Sequence, residues 1–257
     1  YDRYEEQIVA LEEEQRIRRG EAIEKFETFI DRYPGDVRYT PDAMFRLSEL
    51  YYERSYDNYF QARQVYEKAI EVWDVDGPEP EPEEPLVEYA DTIGMMQRLV
   101  DGFPQYRFAD GAYYLLGYCL GEMGEEERSA RVFEKLLEYH ADSRFAPEVW
   151  MRVGEFYFNS NDLPPALKAY QKVVKFTESP FFDKGMYKLA WTHYRLADPE
   201  FAPQEFQKAV DTFIKLLDYN EETKAAGDER GGELRRESIQ YIAITYADEQ
   251  WGSLKKL

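Results

Sequence analysis

Few residues of this sequence could carry out acid–base or nucleophilic chemistry. It contains two histidines and one cysteine. His140 stands at the end of a predicted helix, and His193 and Cys119 fall on the packing faces of two other predicted helices. A catalytic group needs a second group that activates it, and none of the three stands in a motif that would supply one. We therefore predict structural roles for all three and no enzyme activity.

The abundant carboxylates do not form a recognisable metal or cofactor site either. The segment from Asp74 to Pro85 is acidic, but it lacks the alternating ligands and the glycine turn of an EF-hand. The sequence has no Gly-rich phosphate loop, no Cys-x-x-Cys pair and no His-Glu-x-x-His motif. We predict no metal and no cofactor. Four prolines prevent a regular helix in residues 74–85, so we interpret them as an exposed, extended spacer.

Net charge and hydropathy narrow the choice of partners. The net charge is −20, from 52 acidic and 32 basic residues, so the surface would repel nucleic acid. No apolar run reaches the roughly 20 residues that a membrane-spanning helix needs, so we predict no membrane insertion by this segment. The chain starts at Tyr1 rather than at Met, and we expect it to be an excerpt of a longer protein.

Helical hairpins are the elements that would position a site, and the stretch from Pro147 to Phe176 shows the pattern. Its first helix carries Trp150, Val153, Gly154 and Tyr157 at steps of three and four, and its second carries Ala166, Tyr170 and Val173. A glycine inside a helix costs about 0.5–1 kcal/mol, so Gly154 indicates a close helix crossing. This order resembles the tetratricopeptide repeat. The resemblance implies an all-α, right-handed α-solenoid of stacked hairpins.

The same pattern predicts a single solenoid over residues 1–257. Its predicted parts are a partial first repeat at 1–34, a repeat at 40–73, the acidic loop at 74–85, an extra helix at 86–102, repeats at 109–139, 147–177 and 183–219, and a terminal helix at 233–251. A turn at Asp57 and Asn58 is predicted to divide the repeat at 40–73, with Ala62, Tyr66 and Ala69 on its second helix. Neither the extra helix nor the terminal helix has a predicted partner.

Small residues and recurring turns mark the repeats. The small residues at the predicted helix crossings are Ser48, Gly117, Gly154 and Ala190. The turns share an aromatic–proline pair and an Arg–aromatic pair, as in Tyr33-Pro34, Phe103-Pro104, Arg38-Tyr39, Arg107-Phe108 and Arg144-Phe145. These turns look like those of Gram-negative envelope repeat proteins, of the outer-membrane assembly lipoprotein and Tol–Pal-associated types. That similarity implies a periplasmic or envelope location, possible partners in outer-membrane assembly or motility complexes, and a cytoplasmic location as the alternative.

The residues one helical step from the packing face are predicted to line a concave, partner-binding groove. They are Phe45, Glu49, Tyr52, Tyr114, Tyr118, Met151, Glu155, Phe158, Tyr187, Trp191 and Tyr194. Tyr and Trp give large contact areas at low entropic cost, which favours binding of an extended or helical protein segment. Packing between neighbouring repeats is the alternative for each residue. The Lys/Asn carboxylate clamp of some family members is not expected, and an acidic rim favours a basic or neutral partner.

These observations predict a non-catalytic scaffold for protein–protein interaction. Two alternatives stay open at the level of sequence. The chain could be a regulatory or targeting module of a larger enzyme, or it could be a self-assembling structural array. The sequence does not determine the oligomeric state or the identity of the partner.

Overall fold

The computed structural model describes residues 2–75, 77–225 and 234–247. These ranges contain ten helices. They are α1 (Asp2–Arg32), α2 (Thr40–Val72), α3 (Ala90–Gly102), α4 (Ala109–Glu122), α5 (Glu126–Tyr139), α6 (Ala146–Asn159), α7 (Leu163–Val173), α8 (Phe182–Leu196), α9 (Pro203–Ala225) and α10 (Arg235–Ala247). The chain divides into two compact units, residues 1–132 and 133–257. The fold is an all-α repeat solenoid, so the predicted fold class is confirmed.

The predicted turn at Asp57 and Asn58 is wrong, because α2 is one continuous helix of 33 residues. Neither residue breaks a helix as proline does. The C-terminal half of α1 runs beside α2, and Arg19 of α1 holds Asp57 through an ion pair of 2.6 Å. The buried residues of α2 end at Tyr51, so the part of the helix that follows extends beyond the packed repeat.

The second helix of this repeat is α3, which the sequence left without a partner. α3 packs against α2, and Thr92, Met96 and Leu99 are 0%, 0% and 1% exposed. These residues have the spacing of Ala166, Tyr170 and Val173 in α7, and the Phe103-Pro104 turn follows them as Tyr33-Pro34 follows α1. First and second helices therefore alternate without interruption in the first unit, and residues 57–89 are an insertion within one repeat.

The acidic segment of this insertion is tied to α2 at two points, and one further hydrogen bond lies within the segment itself. Residues 73–89, here called the strap, run back along the helix after Val72. The indole of Trp73 donates to the carbonyl of Glu79 at 3.1 Å, Arg63 pairs with Glu84, and Tyr89 is buried against α2. The strap is extended and mostly exposed, as predicted. It is a tethered return segment rather than a free spacer.

In the second unit, helices approach each other closely at two glycines. A Cβ added to Gly154 of α6 would lie 2.6 Å from Cε1 of Tyr170 in α7. One added to Gly185 of α8 would lie 2.5 Å from Cγ1 of Val173. Real side chains do not approach so closely, so each glycine lets a large apolar residue of α7 pack against the backbone. For Gly154, α7 is the second helix of its own hairpin, and for Gly185 it is the second helix of the preceding hairpin.

The recurring turn motif has two physical functions. A side-chain oxygen accepts a hydrogen bond from the backbone two residues later, as Asp36 does from Arg38 at 2.9 Å and Ser143 from Phe145 at 3.2 Å. The arginine then lies over the following ring, 5.1 Å from Tyr39 for Arg38 and 4.7 Å in the two later Arg–Phe pairs. These contacts fix the direction in which the next first helix begins.

Replacement of Met96 by alanine tests the assignment of α3 as the second helix. Met96 is fully buried, so Met96→Ala should lower the free energy of unfolding of the first unit by about 2–4 kcal/mol. Tyr66→Ala removes a residue that the sequence placed at the equivalent position, and it should cost less than about 1 kcal/mol because Tyr66 is only part-buried. Urea unfolding followed by circular dichroism measures both. A larger loss for Tyr66→Ala would contradict the assignment.

A methyl group at Gly154 should be harmful despite the higher helix propensity of alanine. Because the added Cβ would meet the fully buried ring of Tyr170, Gly154→Ala should destabilise the second unit by about 1–3 kcal/mol. Gly94→Ala is the matched control, since nothing lies within 4 Å of its Cβ position, and it should stabilise by about 0.5–1 kcal/mol. Thermal unfolding shifts of opposite sign are expected.

Candidate protein-binding surface

The few reactive side chains are held in packing roles. Cys119 is 0% exposed, and burial, with a smaller contribution from Glu122, raises the pKa of its thiol to about 12. Nδ1 of His193 lies 2.5 Å from a carboxylate oxygen of Glu205, so the imidazole joins α8 to α9. Burial alone would raise the pKa of Glu205, but Lys208 and His193 outweigh it and lower that pKa. This carboxylate is therefore ionised at neutral pH.

In the first unit, part of the predicted groove set forms an aromatic cluster. Tyr52 of α2 stacks on Tyr89 of the strap, with ring centroids 5.0 Å apart and planes at 6°. Its other neighbour is Tyr118 of α4, whose ring meets it edge-on at 6.3 Å, and Tyr114 stacks on Tyr118 at 6.4 Å. The side chains of Tyr52, Tyr114 and Tyr118 are half-buried, so each keeps surface for a ligand.

The two remaining groove residues of the first unit precede Tyr52 on α2, Phe45 by two turns and Glu49 by one. Phe45 contacts the rings of Tyr106 and Phe108 in the turn before α4, at 6.0 and 6.3 Å. Glu49 forms an ion pair of 2.6 Å with Arg46 on the same helix. The turn is held against α2 by Asp42, which accepts a hydrogen bond of 2.8 Å from the hydroxyl of Tyr106. Phe45 is therefore partly used in packing between repeats.

In the second unit, Met151 does not line a surface. It is 5% exposed and belongs to the core cluster with Tyr170, Val173 and Leu189, so its predicted place in the groove is corrected. Met151 follows Trp150 in α6. Its side chain lies in the core because α8 packs over that side of α6 and α7.

Glu155 and Phe158 of α6 are half-buried, and α8 supplies their partners. Lys188 lies 3.7 Å from the carboxylate of Glu155 and 5.5 Å from the ring of Phe158. Arg195 covers the same ring at 4.3 Å and donates to Oδ1 of Asn161 at 2.6 Å. Phe158 is therefore flanked by two cations of the neighbouring repeat.

The three predicted residues of α8 come together with a ring from α10. Tyr241 meets Trp191 edge-on at 4.5 Å and lies 6.0 Å from Tyr187, while Tyr194 meets Trp191 at 5.5 Å. All four side chains are half-buried. Sequence reasoning missed Tyr241 and Tyr89 as members of these clusters. Tyr241 occupies in α10 the position that Lys188 occupies in α8, and Lys188 contacts the groove residues of α6. This equivalence was the sequence signal available for Tyr241.

Two negative findings concern the described part of the chain. Within residues 2–75, 77–225 and 234–247, no group of three His, Cys, Asp or Glu side chains is placed to hold a metal ion. In the same ranges, none of the helices has the length and apolar character required to cross a membrane.

The packing order of these helical hairpins defines an all-α repeat solenoid, and comparison with known proteins shows that part of the chain is similar to tetratricopeptide repeats. The tetratricopeptide repeat family model matches residues 42–73 and 111–143. The first match lies within α2 and its C-cap. The family model therefore assigns the second helix of that repeat to the C-terminal part of α2. No curated protein sequence matches the chain.

One solved structure shows the same fold at low sequence identity, and two others have a weaker overall similarity to this chain. The crystal structure of MamA is 16% identical, with a TM-score of 0.50 over 84% of this chain and 95% of that one. A Podosopora anserina putative kinesin light chain with nearly identical TPR-like repeats is 12% identical, with a TM-score of 0.41 over 84% and 87% of the two chains. BtubC (BKLC) from P. vanneervenii is 15% identical, with a TM-score of 0.39 over 91% of each chain. At such identities the similarity to MamA shows the fold alone.

Thiol labelling tests the packing role of Cys119. Because this thiol is buried and its pKa is raised to about 12, the folded chain should react with Ellman's reagent at least 100-fold more slowly than the urea-unfolded chain. The unfolded chain is the internal control. Fast labelling of the folded chain would show that Cys119 is accessible and would reopen a chemical role for it.

Proposed function

We propose that this protein is a non-catalytic scaffold whose first helices bind a segment of a partner protein through their half-buried aromatic side chains. The observation that carries the proposal is the recurrence of such side chains at two matching positions of the first helices. Tyr52, Phe158 and Tyr194 share one position, and Tyr118 and Trp191 share the other, which Glu49 and Glu155 occupy in α2 and α6. A solvated helix face would carry charged residues at these positions. Tyr and Trp are the residue types most enriched at binding hot spots.

The clusters are arranged so that a ligand would add to existing aromatic packing. Tyr89 covers one face of Tyr52, and Tyr241 covers part of Trp191, which holds both rings in fixed orientations. Fixed rings lose little side-chain entropy on binding. In each unit the surface offered to the partner is therefore preorganised, and each unit is proposed to bind by its own set.

The charge of the chain selects the chemistry of the partner. With a net charge of −20, the protein repels acidic proteins at long range and attracts basic ones. The cations on the inner face of the second unit are already used, since Lys188 pairs with Glu155 and Arg195 binds Asn161. We propose a basic or neutral segment as the ligand.

The similarity of the turn motif to envelope repeat proteins supports a location in the periplasm or envelope of a Gram-negative bacterium. The proposal includes the subtype, similar to the outer-membrane assembly lipoprotein or the Tol–Pal-associated protein. Cell fractionation of the native host tests it, and recovery with cytoplasmic markers would overturn the location without affecting the scaffold function.

Paired alanine substitutions test the binding surface. Tyr118→Ala and Trp191→Ala should each lower recovery of specific partners at least tenfold in an affinity capture from the native host, because each removes a large ring from the proposed contact. Quantitative mass spectrometry measures the recovery. Phe60→Ala and Phe201→Ala are matched controls, since these rings are 54% and 79% exposed and do not belong to the predicted groove residues.

The contributions of charge and of aromatic contact can be separated by salt. Raising NaCl from 0.1 to 1 M shortens the Debye length from about 10 to about 3 Å, so association with the partner should slow while part of the affinity remains.

Unchanged capture by both Tyr118→Ala and Trp191→Ala would contradict the proposed surface. Equal losses in the control variants would do the same.

A further inference from the structure

An open cleft lies between two successive turns of the first unit, the turn before α2 and the turn before α4. Its volume is about 450 Å³. Pro41, Phe103 and Pro104 supply apolar surface to this cleft, and Arg38 and Arg107 supply cations. It is called the turn cleft below. Because both turns belong to the first unit, the two walls are parts of one compact body.

The lining of the turn cleft contains two arginines and one carboxylate, in a chain whose net charge is −20. The carboxylate is Asp42, which pairs with the exposed Arg107 at 3.0 Å. Arg38 is exposed as well, and its guanidinium lies 5.1 Å from the ring of Tyr39. Among the residues that the structure describes, no carboxylate forms an ion pair with Arg38. Asp36, outside the lining, accepts the backbone N–H of Arg38 at 2.9 Å and weakens the positive charge.

Asp42 also fixes an aromatic ring in the cleft. It accepts a hydrogen bond of 2.8 Å from the hydroxyl of Tyr106, and that ring meets Phe108 edge-on at 5.7 Å. Pro41 is buried in the first turn of α2. Aromatic-lined grooves are the surfaces that recognise polyproline II segments. Because cations stand at its rim, the turn cleft is suited to a proline-rich segment that is also acidic.

The strap of this chain is a segment of that chemistry. Prolines stand at positions 78, 80, 82 and 85, with glutamates between them, and residues 74–88 contain no basic side chain. Each proline fixes its own φ at about −65°, and the residue before each proline is restricted to β and polyproline II conformations. The strap is therefore extended and has little conformational entropy to lose when it meets a partner.

Part of the strap is available for such a contact. Pro80, Glu81 and Glu83 are exposed, whereas Glu84 is held by Arg63 of α2. Within the described part of the chain, neither Glu81 nor Glu83 takes part in an ion pair or a side-chain hydrogen bond. In polyproline II geometry, residues two positions apart are separated by about 6 Å along the segment. The strap thus presents two free carboxylates close together.

The strap cannot fill the turn cleft of its own chain, because the two lie at distant positions along α2. Asp42 lines the cleft in the first turn of the helix, and Arg63 holds Glu84 of the strap. At about 1.5 Å per residue, these two positions of α2 are about 30 Å apart. The strap residues before Glu84 lie farther still, since the carbonyl of Glu79 binds the indole of Trp73 after the end of the helix. A contact between strap and cleft must therefore join two chains.

We propose that the strap of one copy of this chain docks in the turn cleft of a second copy. Pro80 packs against Phe103, and Glu81 and Glu83 pair with the two arginines of the cleft. Complementary charge selects this occupant, because the arginines would repel the basic segment proposed as the ligand of the groove residues. The contact includes none of the predicted groove residues, so it is independent of the function proposed above.

Net charge limits the strength of this contact. Two copies that each carry a charge of −20 repel one another, but at about 0.15 M salt the Debye length of about 8 Å screens the repulsion between distant charges. Exposed ion pairs each contribute little, so the apolar contact and the preorganised strap must supply part of the affinity. We expect a weak self-association that depends on protein concentration.

An exchange of charge between two variants tests the contact. Sedimentation velocity at about 0.15 M NaCl should show that the weight-average mass of the unmodified chain rises with concentration. Glu81→Arg together with Glu83→Arg, and separately Arg38→Glu, should each lower the association constant at least tenfold, because like charges then face each other. An equimolar mixture should recover the association, since the basic strap fits the acidic cleft and the two unmodified surfaces fit each other.

Two controls separate this contact from other effects. Arg131→Glu changes the net charge as Arg38→Glu does, at an exposed position of α5, and Trp191→Ala alters the proposed binding surface. Both should leave the association constant unchanged. Circular dichroism checks that every variant folds, and the substituted strap and cleft residues are exposed. A constant monomer mass, unchanged association in the strap or cleft variants, or failure of the mixture to recover overturns the proposal.

A synthetic peptide of residues 77–86 distinguishes a second copy from a foreign partner. Labelled with fluorescein, the peptide should bind the unmodified chain, and Arg38→Glu should weaken this binding at least tenfold in fluorescence anisotropy. Excess unlabelled peptide should lower the weight-average mass of the associated chain. Peptide binding without self-association of the chain would assign the cleft to a foreign acidic segment and overturn the proposal, as would absence of peptide binding.

Discussion

Close approach of helix backbones is the constraint on which the rest of the structure depends. At Gly154 the ring of Tyr170 occupies the space of a side chain, and at Gly185 the side chain of Val173 does so. α7 therefore contacts both the first helix of its own hairpin and that of the next. Because a repeat cannot bury its apolar faces alone, stacking is the source of its stability.

Much of this arrangement could be predicted from sequence, because the repeat signals are local. The spacing around Gly154 and the turns with Arg–aromatic pairs predicted hairpins where α4 to α9 lie. The α2 turn could not be predicted correctly. Ala62 and Tyr66 match a second-helix pattern, but they equally fit a helix that runs beside α1. Only the burial of Met96 shows which segment occupies the packing position. The extra helix therefore needed no special docking.

The candidate surface was predictable in type and less so in detail. Half-buried aromatic side chains recur on the first helices one helical step from the packing face, and the groove that they would form stays a prediction. The prediction from helical spacing was wrong at Met151, which a neighbouring helix buries. Residue spacing within one helix contains no information on that neighbouring helix. It also missed Tyr89 and Tyr241, whose contacts to Tyr52 and Trp191 come from distant segments. Tertiary contacts of this kind follow from the stacking order and not from local periodicity.

The insertion in the α2–α3 repeat has a consequence for the folding pathway. Gly154 and Tyr170 meet across a short turn, so their hairpin can close early and locally. Ser48 of α2 and the second helix α3 are separated by the whole insertion of residues 57–89. Closing a longer loop costs more entropy, by about 0.6 kcal/mol for each doubling of its length, and non-local contacts form more slowly. The α2–α3 hairpin should therefore be the last of the four to form, with the second unit nucleating first.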